Sequence, residues 1–484
     1  MAQSAAGNAV ETSRKASGRT LAQLLDMPLA FLGFALWRAW VSLSYADPAC
    51  ALPLRDATGQ LPYDAGLAVA ALVIAVFSSR LAPLNEKEWS YGVAGVLFAF
   101  AMSTNIASVD NPGLATVLAI PSTVAASVAS ALLILLWCEA YSCLNPARVA
   151  VYYALSMVLG VVVTFILKGF TVPYLHGALV LLPILSLMLV HRSYHRFIPV
   201  SDRPQAADRP LVPWKLIAIM ALYGVAEGLA AAYTGGADPA LVGSHSTIST
   251  LVAAMALFVL VYWLSDRFPL SVLYRAPLVI IACGLLLIPL FGFAGGVFGE
   301  FCISMGTTLF SSIVFLFLCD VSKRLGVLAI CLFGIEEALV MTTWAGKGLG
   351  WLAIDVASSS PYLQPAVLAV AAMLVVGLSL LVLNDRELGS RWGITFLGKQ
   401  AKGTDASSRE EALCARVAEE RGLTPRETEV LELLVRGKSL SQVASALFIA
   451  DGTAKAHTRH IYEKLGINSR QELFSQLKVK PPQR

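Results

Sequence analysis

Long apolar runs alternate with short polar connections along the first 383 residues of the chain. A helix that crosses the hydrocarbon core of a bilayer needs about 20 consecutive, mostly apolar residues. By that criterion the sequence predicts twelve spans, near residues 27–45, 64–79, 90–107, 114–140, 148–167, 175–191, 213–233, 246–264, 275–293, 297–319, 325–345 and 364–383. The pattern therefore predicts an all-α fold, a polytopic twelve-helix membrane bundle whose halves, 27–191 and 213–383, are joined by a charged loop at 192–212.

The composition agrees with a membrane protein. Hydrophobic residues make up 57% of the chain and charged residues 14%, whereas about a quarter of the residues in a globular domain are charged. The eight cysteines form no CxxC pair and lie mostly in apolar runs. We therefore expect buried, unpaired cysteines and neither a disulfide framework nor a zinc site.

Lysine and arginine are unevenly divided between the loops on the two sides of the membrane. If the N-terminal segment 1–26 lies inside, the inner connections hold twelve of these residues: Arg80, Lys87, Arg148, Arg192, Arg196, Arg203, Arg209, Lys215, Arg267, Arg275, Lys323 and Arg324. The outer connections hold three, Arg55, Lys168 and Lys347. Because positive residues stay on the cytoplasmic side, we expect a multi-pass protein of the cytoplasmic (inner) membrane with both termini cytoplasmic.

The composition changes after Leu383. Residues 384–408 read as an interfacial segment followed by a polar linker, and residues 409–484 read as a soluble domain. From residue 401 onward there are fourteen Lys/Arg and eleven Asp/Glu. Such a balance is typical of a soluble domain, so we expect a second, cytoplasmic domain here.

The soluble domain contains a series of short helical patterns. The first helix is expected from Pro425 to about Arg436, with Thr424 as its N-cap. The second is expected at about 440–447, and a third follows, with Asp451 as N-cap. In the third helix an apolar back lies opposite a basic front; the back is Ala454, Ile461 and Leu465, and the front is Lys455, Ala456 and Arg459. A helix of this kind, held by a preceding short helix, fits the DNA major groove.

Residues 423–473 resemble the LuxR-type helix-turn-helix domain. The family pattern is kept at Leu423, Thr424, Arg426, Glu427, Glu429, Val430, Leu431, Gly437, Ser439, Ala444, Leu447, Ile449, Thr453, Lys455, His457, Ile461, Lys464, Leu465, Gly466 and Arg470. The sequence departs from it at LSQV (440–443), where the family has NKEI, and at Ala450 and Ala454. The loss of the family's lysine in LSQV removes one expected phosphate contact.

The resemblance implies a small four-helix domain in which residues 452–465 form the recognition helix. It implies that Lys455, Ala456 and Arg459 face base edges, with Thr453 and His457 near the DNA backbone. Lys438 is a candidate phosphate contact, and Ser441 is a further candidate DNA contact. The expected partner is double-stranded promoter DNA, bound as a homodimer. The alternatives are a basic helix lying on anionic lipid and zinc binding by His457 and His460, which would lack further ligands.

The membrane region resembles the major facilitator superfamily in architecture alone, through its six-plus-six layout and charged central loop over about residues 20–390. The superfamily signature GxxxDRxGRR between spans 2 and 3 is absent, and SSRLAPLNEKEW stands there instead. The resemblance implies that spans 1, 4, 7 and 10 line a central cavity.

Charged residues occur within the predicted spans, where each costs about 2.5–3.5 kcal/mol on insertion scales. They are Arg38, Glu139, Glu227, Glu300, Glu336 and Glu337. We interpret Glu139 as structural and the other five as candidate ligand-sensing residues, with structural ion pairs as the alternative. Since acids outnumber bases, a cationic or hydrogen-bonding ligand is favoured, and Arg38 could bind a carboxylate.

These patterns predict a membrane-anchored one-component transcriptional regulator whose transporter-like domain senses a small molecule or a membrane signal. A secondary transporter with a regulatory DNA-binding tail, or a membrane tether that senses nothing, would be the alternatives. The sequence has no P-loop, nucleophile elbow or metal-ligand cluster. We therefore expect no enzyme activity, no cofactor and no metal.

Overall fold

The structure is a computed structural model. It describes residues 28–46, 61–109, 111–199, 203, 214–233, 246–259, 270–290, 292–357 and 362–382, and, near the C-terminus, residues 414, 417–418, 421–435, 440–447, 451–467 and 472–473. The N-terminal segment 1–26, most of the loop at 192–212 and the segment at 384–408 lie outside the described residues. The chain divides into two compact units, Met1–Phe396 and Leu397–Arg484.

The described part of the first half of the membrane unit contains six main helices. After a 3-10 turn at Leu29–Gly33 come α1 (Phe34–Ala46), α2 (Leu61–Val76), α3 (Glu88–Val109), α4 (Pro112–Ser142), α5 (Pro146–Lys168) and α6 (Val172–Phe197). A helical turn at Ser78–Leu81 and a 3-10 turn at Leu84–Glu86 connect α2 to α3. Each of the six helices overlaps one predicted span, with ends that differ by up to seven residues.

Among the described residues of the second half there are seven helices for six predicted spans. They are α7 (Trp214–Tyr233), α8 (Thr247–Val259), α9 (Leu270–Leu290), α10 (Gly292–Leu325), α11 (Ala329–Ala338), α12 (Val340–Ala357) and α13 (Leu363–Val382). The eleventh span consists of α11 and α12 together, interrupted at Leu339. No strand occurs among the described residues, so the prediction of an all-α membrane bundle is confirmed.

The placement of Lys347 in a connecting loop is wrong, because this residue lies inside α12. Its ammonium group stands 4.1 Å from the centroid of the Trp344 ring. The face of an aromatic ring attracts a cation, which allows the charge to lie within the helix. The helix therefore continues to Ala357, beyond the dip in hydropathy at Lys347.

Six described helices are long and apolar enough to cross a membrane on their own. Their spanning parts are Glu88–Ser108, Thr116–Ser142, Arg148–Lys168, Val172–Phe197, Val297–Lys323 and Ala329–Val356. The pair Leu61–Val76 and Ser78–Glu86, bent by 73°, would be a seventh, and Leu29–Ser44, Ile217–Ala232, Thr247–Val259 and Ala276–Ile288 are shorter apolar helices. The protein is therefore a multi-pass membrane protein.

Burial distinguishes central from peripheral helices. The spanning parts of α4 and α10 are 67% buried, whereas that of α3 is 28% buried. On α3 the apolar side chains of Val93, Val96 and Phe100 are exposed. In a bilayer such a face contacts lipid, so we place α4 and α10 in the centre of the bundle and α3 at its edge.

Small residues allow two helices of the second half to approach closely. A Cβ atom added at Gly228 of α7 would overlap the carbonyl oxygen of Thr343, and one added at Gly346 of α12 would overlap the carbonyl oxygen of Val225. Membrane helices commonly pack through small residues because the hydrophobic effect does not drive their association. The α7–α12 pair therefore depends on glycine at both positions.

The C-terminal unit has a core of its own. Its described helices are α14 (Pro425–Val435), α15 (Leu440–Leu447) and α16 (Asp451–Leu465). The predicted back of α16 is buried, and it packs in one cluster with residues of the other two helices and of the flanking positions: Cys414, Val430, Leu431, Leu434, Val435, Val443, Ala444, Ala454, Ile461, Leu465, Ile467 and Leu473.

Candidate DNA-binding face and intramembrane cavity

The start of α14 is fixed by a reciprocal pair of hydrogen bonds. The backbone N–H of Glu427 donates to Thr424 Oγ1 at 3.3 Å, and the backbone N–H of Thr424 donates to Glu427 Oε2 at 2.8 Å. This arrangement is a capping box, which satisfies two N–H groups that a helix N-terminus otherwise leaves without partners. The structure thus confirms Thr424 as the N-cap of this helix.

The same carboxylate ties α14 to α16. Lys464 Nζ, on α16, donates to Glu427 Oε2 at 2.7 Å and to the carbonyl oxygen of Gly422 at 3.0 Å. Burial alone would raise the pKa of the Glu427 carboxyl, but the hydrogen bonds from Lys464 and Thr424 outweigh it and lower that pKa to about 2. The first helix of the unit is therefore fixed to the predicted recognition helix through charge-assisted hydrogen bonds.

The front of α16 is open to solvent. Lys455, Ala456, Arg459 and Thr453 are exposed, and His457 is half-buried. None of these five candidate DNA-binding residues belongs to the buried core of the unit, whereas Ala454 on the opposite side of the helix is fully buried. Of the other two candidates, Ser441 lies on α15 with its side chain outside the described part, and Lys438 is not among the described residues. The role of each residue in DNA binding remains a prediction.

Arg459 has a partner within its own helix. Its Nε donates to Glu463 Oε1 at 2.8 Å, and the Arg459 side chain is 80% exposed. Such an exposed i, i+4 pair contributes only about 0.3–0.5 kcal/mol. The guanidinium can therefore leave Glu463 for a phosphate or a base edge at little energetic cost.

The C-terminus of α16 is closed by Gly466, whose φ is +68°. The N–H of Ile467 donates to the carbonyl oxygen of Tyr462 at 3.0 Å, and that of Gly466 to the carbonyl oxygen of Glu463 at 3.3 Å. These two bonds form a Schellman motif, which needs the left-handed conformation that glycine adopts readily. Ile467 is buried in the same core, so the length and exit direction of this helix are fixed.

Within the membrane unit, a cavity of about 150 Å³ is lined by residues of several helices. Its lining includes three of the predicted charged residues, Arg38 of α1 and Glu336 and Glu337 of α11, and a fourth, Asp64 of α2. Aromatic residues complete much of the wall, namely Phe34, Trp37, Tyr63, Tyr153 and Phe315. The cavity thus combines three carboxyl groups, one guanidinium and five aromatic rings.

Sequence reasoning missed Asp64. It occupies the first turn of α2, where an acidic residue is usual because it interacts favourably with the helix dipole. In the structure Asp64 is buried, and the indole Nε1 of Trp344 donates to its Oδ2 at 2.9 Å. The contact joins residues that are 280 positions apart, so no local pattern could have revealed it.

Two nitrogen atoms at the cavity have no hydrogen-bond partner among the described residues. They are Nε1 of Trp37 and Nε of Arg38, and both atoms are buried. At the other end of the guanidinium, Arg38 Nη2 donates to Thr250 Oγ1 of α8 over 3.5 Å, which is long for a hydrogen bond. A buried donor without a partner costs about 1–3 kcal/mol, so a ligand or water in the cavity would relieve this cost.

Three predicted charges lie away from this cavity. Glu227 is half-buried on α7 and Glu300 is buried on α10, and neither is part of the lining. Glu139 of α4 is buried and accepts hydrogen bonds from the backbone N–H groups of Leu84 and Asn85 and from the Asn85 side chain. These bonds support the structural interpretation of Glu139.

The comparisons agree with this picture of the C-terminal unit. Residues 421–476 match the family model described as bacterial regulatory proteins, luxR family. The segment is thus a LuxR-type helix-turn-helix domain, and the resemblance proposed from the sequence is confirmed. That family consists of DNA-binding regulators and not of enzymes.

Two curated relatives each match a short part of the chain. A putative HTH-type transcriptional regulator in the exeN 3' region of Aeromonas salmonicida is 43% identical over 76 residues, which is 16% of this chain and 38% of the relative. The HTH-type transcriptional regulator MalT of Yersinia pestis is 46% identical over 54 residues, 11% of this chain and 6% of MalT. The chain therefore covers well under half of either relative.

Solved transporter structures are neighbours of the membrane unit. The major facilitator superfamily transporter FucP in its outward conformation matches with a TM-score of 0.49 and 13% identity, over 75% of this chain and 100% of FucP. A bacterial homologue of the iron transporter ferroportin in an outward-facing state matches with a TM-score of 0.47 and 15% identity, over 72% of this chain and 97% of that one.

Proposed function

We propose that this protein is a membrane-anchored one-component transcriptional regulator. One observation carries the proposal: a LuxR-type domain with a solvent-exposed basic helix face follows a multi-pass membrane unit in the same chain. The domain binds promoter DNA from the cytoplasmic side of the inner membrane, and the membrane unit senses a small molecule. The chain acts as a regulator and not as an enzyme.

The cavity is the proposed ligand site. Three residues with carboxyl groups and one with a guanidinium line it, together with five aromatic residues. Both features favour a small cationic ligand, because carboxylates attract a positive charge and aromatic faces bind cations. The partnerless donors of Trp37 and Arg38 would in addition suit an acceptor atom of the same ligand.

Signal transfer is proposed to act through dimerisation. The linker predicted at 399–408 has ten residues and, as a loose coil, spans roughly 15–20 Å. A chain of this kind transmits force poorly, so a rigid lever is disfavoured. A ligand can shift the packing of membrane units only if it binds two states with different affinities. Such a shift would set how close two DNA-binding domains come on an operator.

The test is a genome-wide map of DNA bound by the full chain, followed by a reporter fused to a bound promoter and exposed to a panel of small cationic compounds. Glu337→Gln should abolish the response to an active compound without changing promoter occupancy in its absence. Asp355→Asn, which neutralises an exposed acid of α12 outside the cavity, is the matched control. No promoter occupancy, or a full response in Glu337→Gln at normal protein levels, would refute the proposal.

The charged cavity would serve equally well in a secondary transporter with a regulatory tail. Reconstituted vesicles distinguish the two functions. Accumulation of the active compound in vesicles that contain the full chain, lost in Glu337→Gln, would favour transport. Binding without accumulation would favour a sensor.

A further inference from the structure

Two histidines and one glutamate meet at the end of the bundle where α3 begins and α6 ends. Glu88 is the first residue of α3, and His191 and His195 lie one turn apart in the last turns of α6. One potential ligand atom from each of the three side chains lies within 4.8 Å of the other two. Two histidines at positions i and i+4 share one helix face, a spacing that is used to bind zinc.

The distances are close to those of a metal centre. Ligand atoms at 2.0–2.1 Å from a tetrahedral ion lie roughly 3.3 Å apart. In the structure His191 Nε2 is 3.4 Å from Glu88 Oε1. The two imidazole rings have centroids 4.5 Å apart, and the Tyr91 ring packs edge-on against His191 at 4.9 Å. Small side-chain rotations would therefore bring all three ligands onto one ion.

A second layer of contacts orients His195. Its Nε2 lies 2.9 Å from the carbonyl oxygen of Asn85, which can only accept a hydrogen bond. In the neutral ring the proton is therefore on Nε2, and Nδ1 keeps a lone pair. Histidines that bind metals almost always donate their other N–H to a carbonyl or a carboxylate in this way.

Asn85 is itself held firmly. Its backbone N–H and its side-chain amide both donate to Glu139 Oε2 at 2.8 Å, and the Tyr91 hydroxyl donates to its Oδ1 at 2.6 Å. Asn85 and Glu139 are buried, whereas Glu88 and His195 are exposed and His191 is half-buried. Buried, hydrogen-bonded residues therefore hold His195 from the protein interior, and the three candidate ligands can be reached from solvent.

We propose that Glu88, His191 and His195 form a binding site for a divalent transition metal, with Zn²⁺ as the reference ion. Two imidazole nitrogens and one carboxylate oxygen supply three ligands, and water completes the coordination. Imidazole ligands favour zinc, copper and nickel over magnesium and calcium. The bound ion ties the start of α3 to the end of α6. This site is separate from the cavity and does not depend on the proposed regulatory function.

The test uses the full-length protein purified in detergent and stripped of metal, titrated with Zn²⁺ against a fluorescent chelator. One Zn²⁺ per chain should bind at this site. Glu88→Gln, His191→Gln and His195→Gln should each weaken binding at least 10-fold. His176→Gln is the matched control because His176 lies on the same helix, about 22 Å from His191 at 1.5 Å per residue. The double variant His457→Gln, His460→Gln controls for the DNA-binding domain.

A variant that replaces a ligand by another ligand guards against effects of misfolding. His191→Cys supplies a thiolate and should keep Zn²⁺ affinity within a few-fold of the parent, whereas His191→Gln loses it. Equal losses in these two variants would overturn the proposal. So would the absence of Zn²⁺ binding, or unchanged binding in the triple Gln variant, which would leave Glu88 and His191 as a surface ion pair.

Discussion

Lys464 Nζ lies 2.7 Å from Glu427 Oε2. A residue near the end of the predicted recognition helix α16 thus contacts the glutamate of the capping box that begins α14. The Glu427 side chain is 6% exposed, and the same oxygen accepts the backbone N–H of Thr424. One carboxylate thus caps α14 and positions α16. The orientation of the DNA-binding face depends on this pair as well as on the apolar core.

Glu427→Gln should therefore destabilise the C-terminal unit by about 1.5–3 kcal/mol, the range for hydrogen bonds to charged groups. A glutamine side chain can still accept the hydrogen bond from the backbone N–H of Thr424, but it lacks the negative charge that attracts Lys464. Thermal unfolding of a 405–484 fragment, followed by circular dichroism, measures the effect. Glu429→Gln, at an exposed position on the same helix, is the control and should change stability by less than about 0.5 kcal/mol.

The stability of this fragment should also depend on acid pH. The pKa of Glu427 is lowered to about 2 in the folded unit, whereas an unfolded glutamate has a pKa of about 4.3. Because the folded-state pKa is the lower one, the stabilisation is complete above about pH 5 and is lost as the pH falls through 4 to 2. The parent should lose more stability over this window than Glu427→Gln. Parallel pH profiles for the two proteins would contradict the assignment.

The exposed front of α16 should discriminate between DNA sequences. If Lys455 and Arg459 contact base edges, replacement of either by alanine should cost roughly 1–3 kcal/mol at the cognate site and relax its specificity. Lys438→Ala should instead weaken binding to all DNA sequences about equally and reduce the salt dependence of binding. Glu463→Gln is a further comparison because it removes the partner of Arg459 without touching the DNA-facing side chain. Identical profiles for Lys455→Ala, Arg459→Ala and Lys438→Ala would show that the face is misplaced.

Close packing between α7 and α12 should make Gly346 intolerant of a side chain. Gly346→Leu would place carbon atoms against the Val225 backbone, and overpacking of this kind costs about 1–3 kcal/mol. Gly348 is only two residues away, and a Cβ there meets nothing within 4 Å. Gly348→Leu should therefore keep the parent's thermal stability in detergent, while Gly346→Leu should lower the midpoint of unfolding. Equal midpoints would contradict the described helix crossing.

The hydrogen bond from Trp344 to Asp64 should stabilise the wall of the cavity. Trp344→Phe keeps most of the ring but removes the donor, which should cost about 1–3 kcal/mol because Asp64 is buried. In an Asp64→Asn background the same change should cost less, since the indole N–H then loses a neutral acceptor instead of a carboxylate. Trp351→Phe, at an exposed position of α12, controls for the loss of an indole. The measurement is thermal unfolding in detergent.

Much of the fold could be predicted from the sequence because two strong patterns carry it. Apolar runs of membrane length define the spans, and the spacing of Ala454, Ile461 and Leu465 defines the buried side of α16. Arg38, Glu336 and Glu337 were recognisable because charge inside an apolar run is costly. The structure places all three in the lining of one cavity, and their role in binding a ligand remains a prediction.

What the sequence could not provide is the rotation and pairing of helices that are distant in the chain. Asp64 resembles an ordinary helix-start acid until α12 brings Trp344 to it. His191 and His195 resemble part of a polar loop until Glu88 joins them from 103 residues away. Contacts of this kind depend on tertiary packing, which no local periodicity encodes.

The carboxylate of Glu139 has a mechanical consequence. It holds Leu84 N at 3.0 Å and Asn85 N at 2.8 Å, so the turn between α2 and α3 is anchored to a helix in the centre of the bundle. Separating them would leave a buried carboxylate without these two donors, so a hinge at this turn would be costly. In any rearrangement of the membrane unit, the turn and α4 should therefore travel as one rigid body, and the bending must occur elsewhere. Hydrogen exchange at Leu84 and Asn85 should then be as slow as in α4, and rapid exchange there would place a hinge at this turn after all.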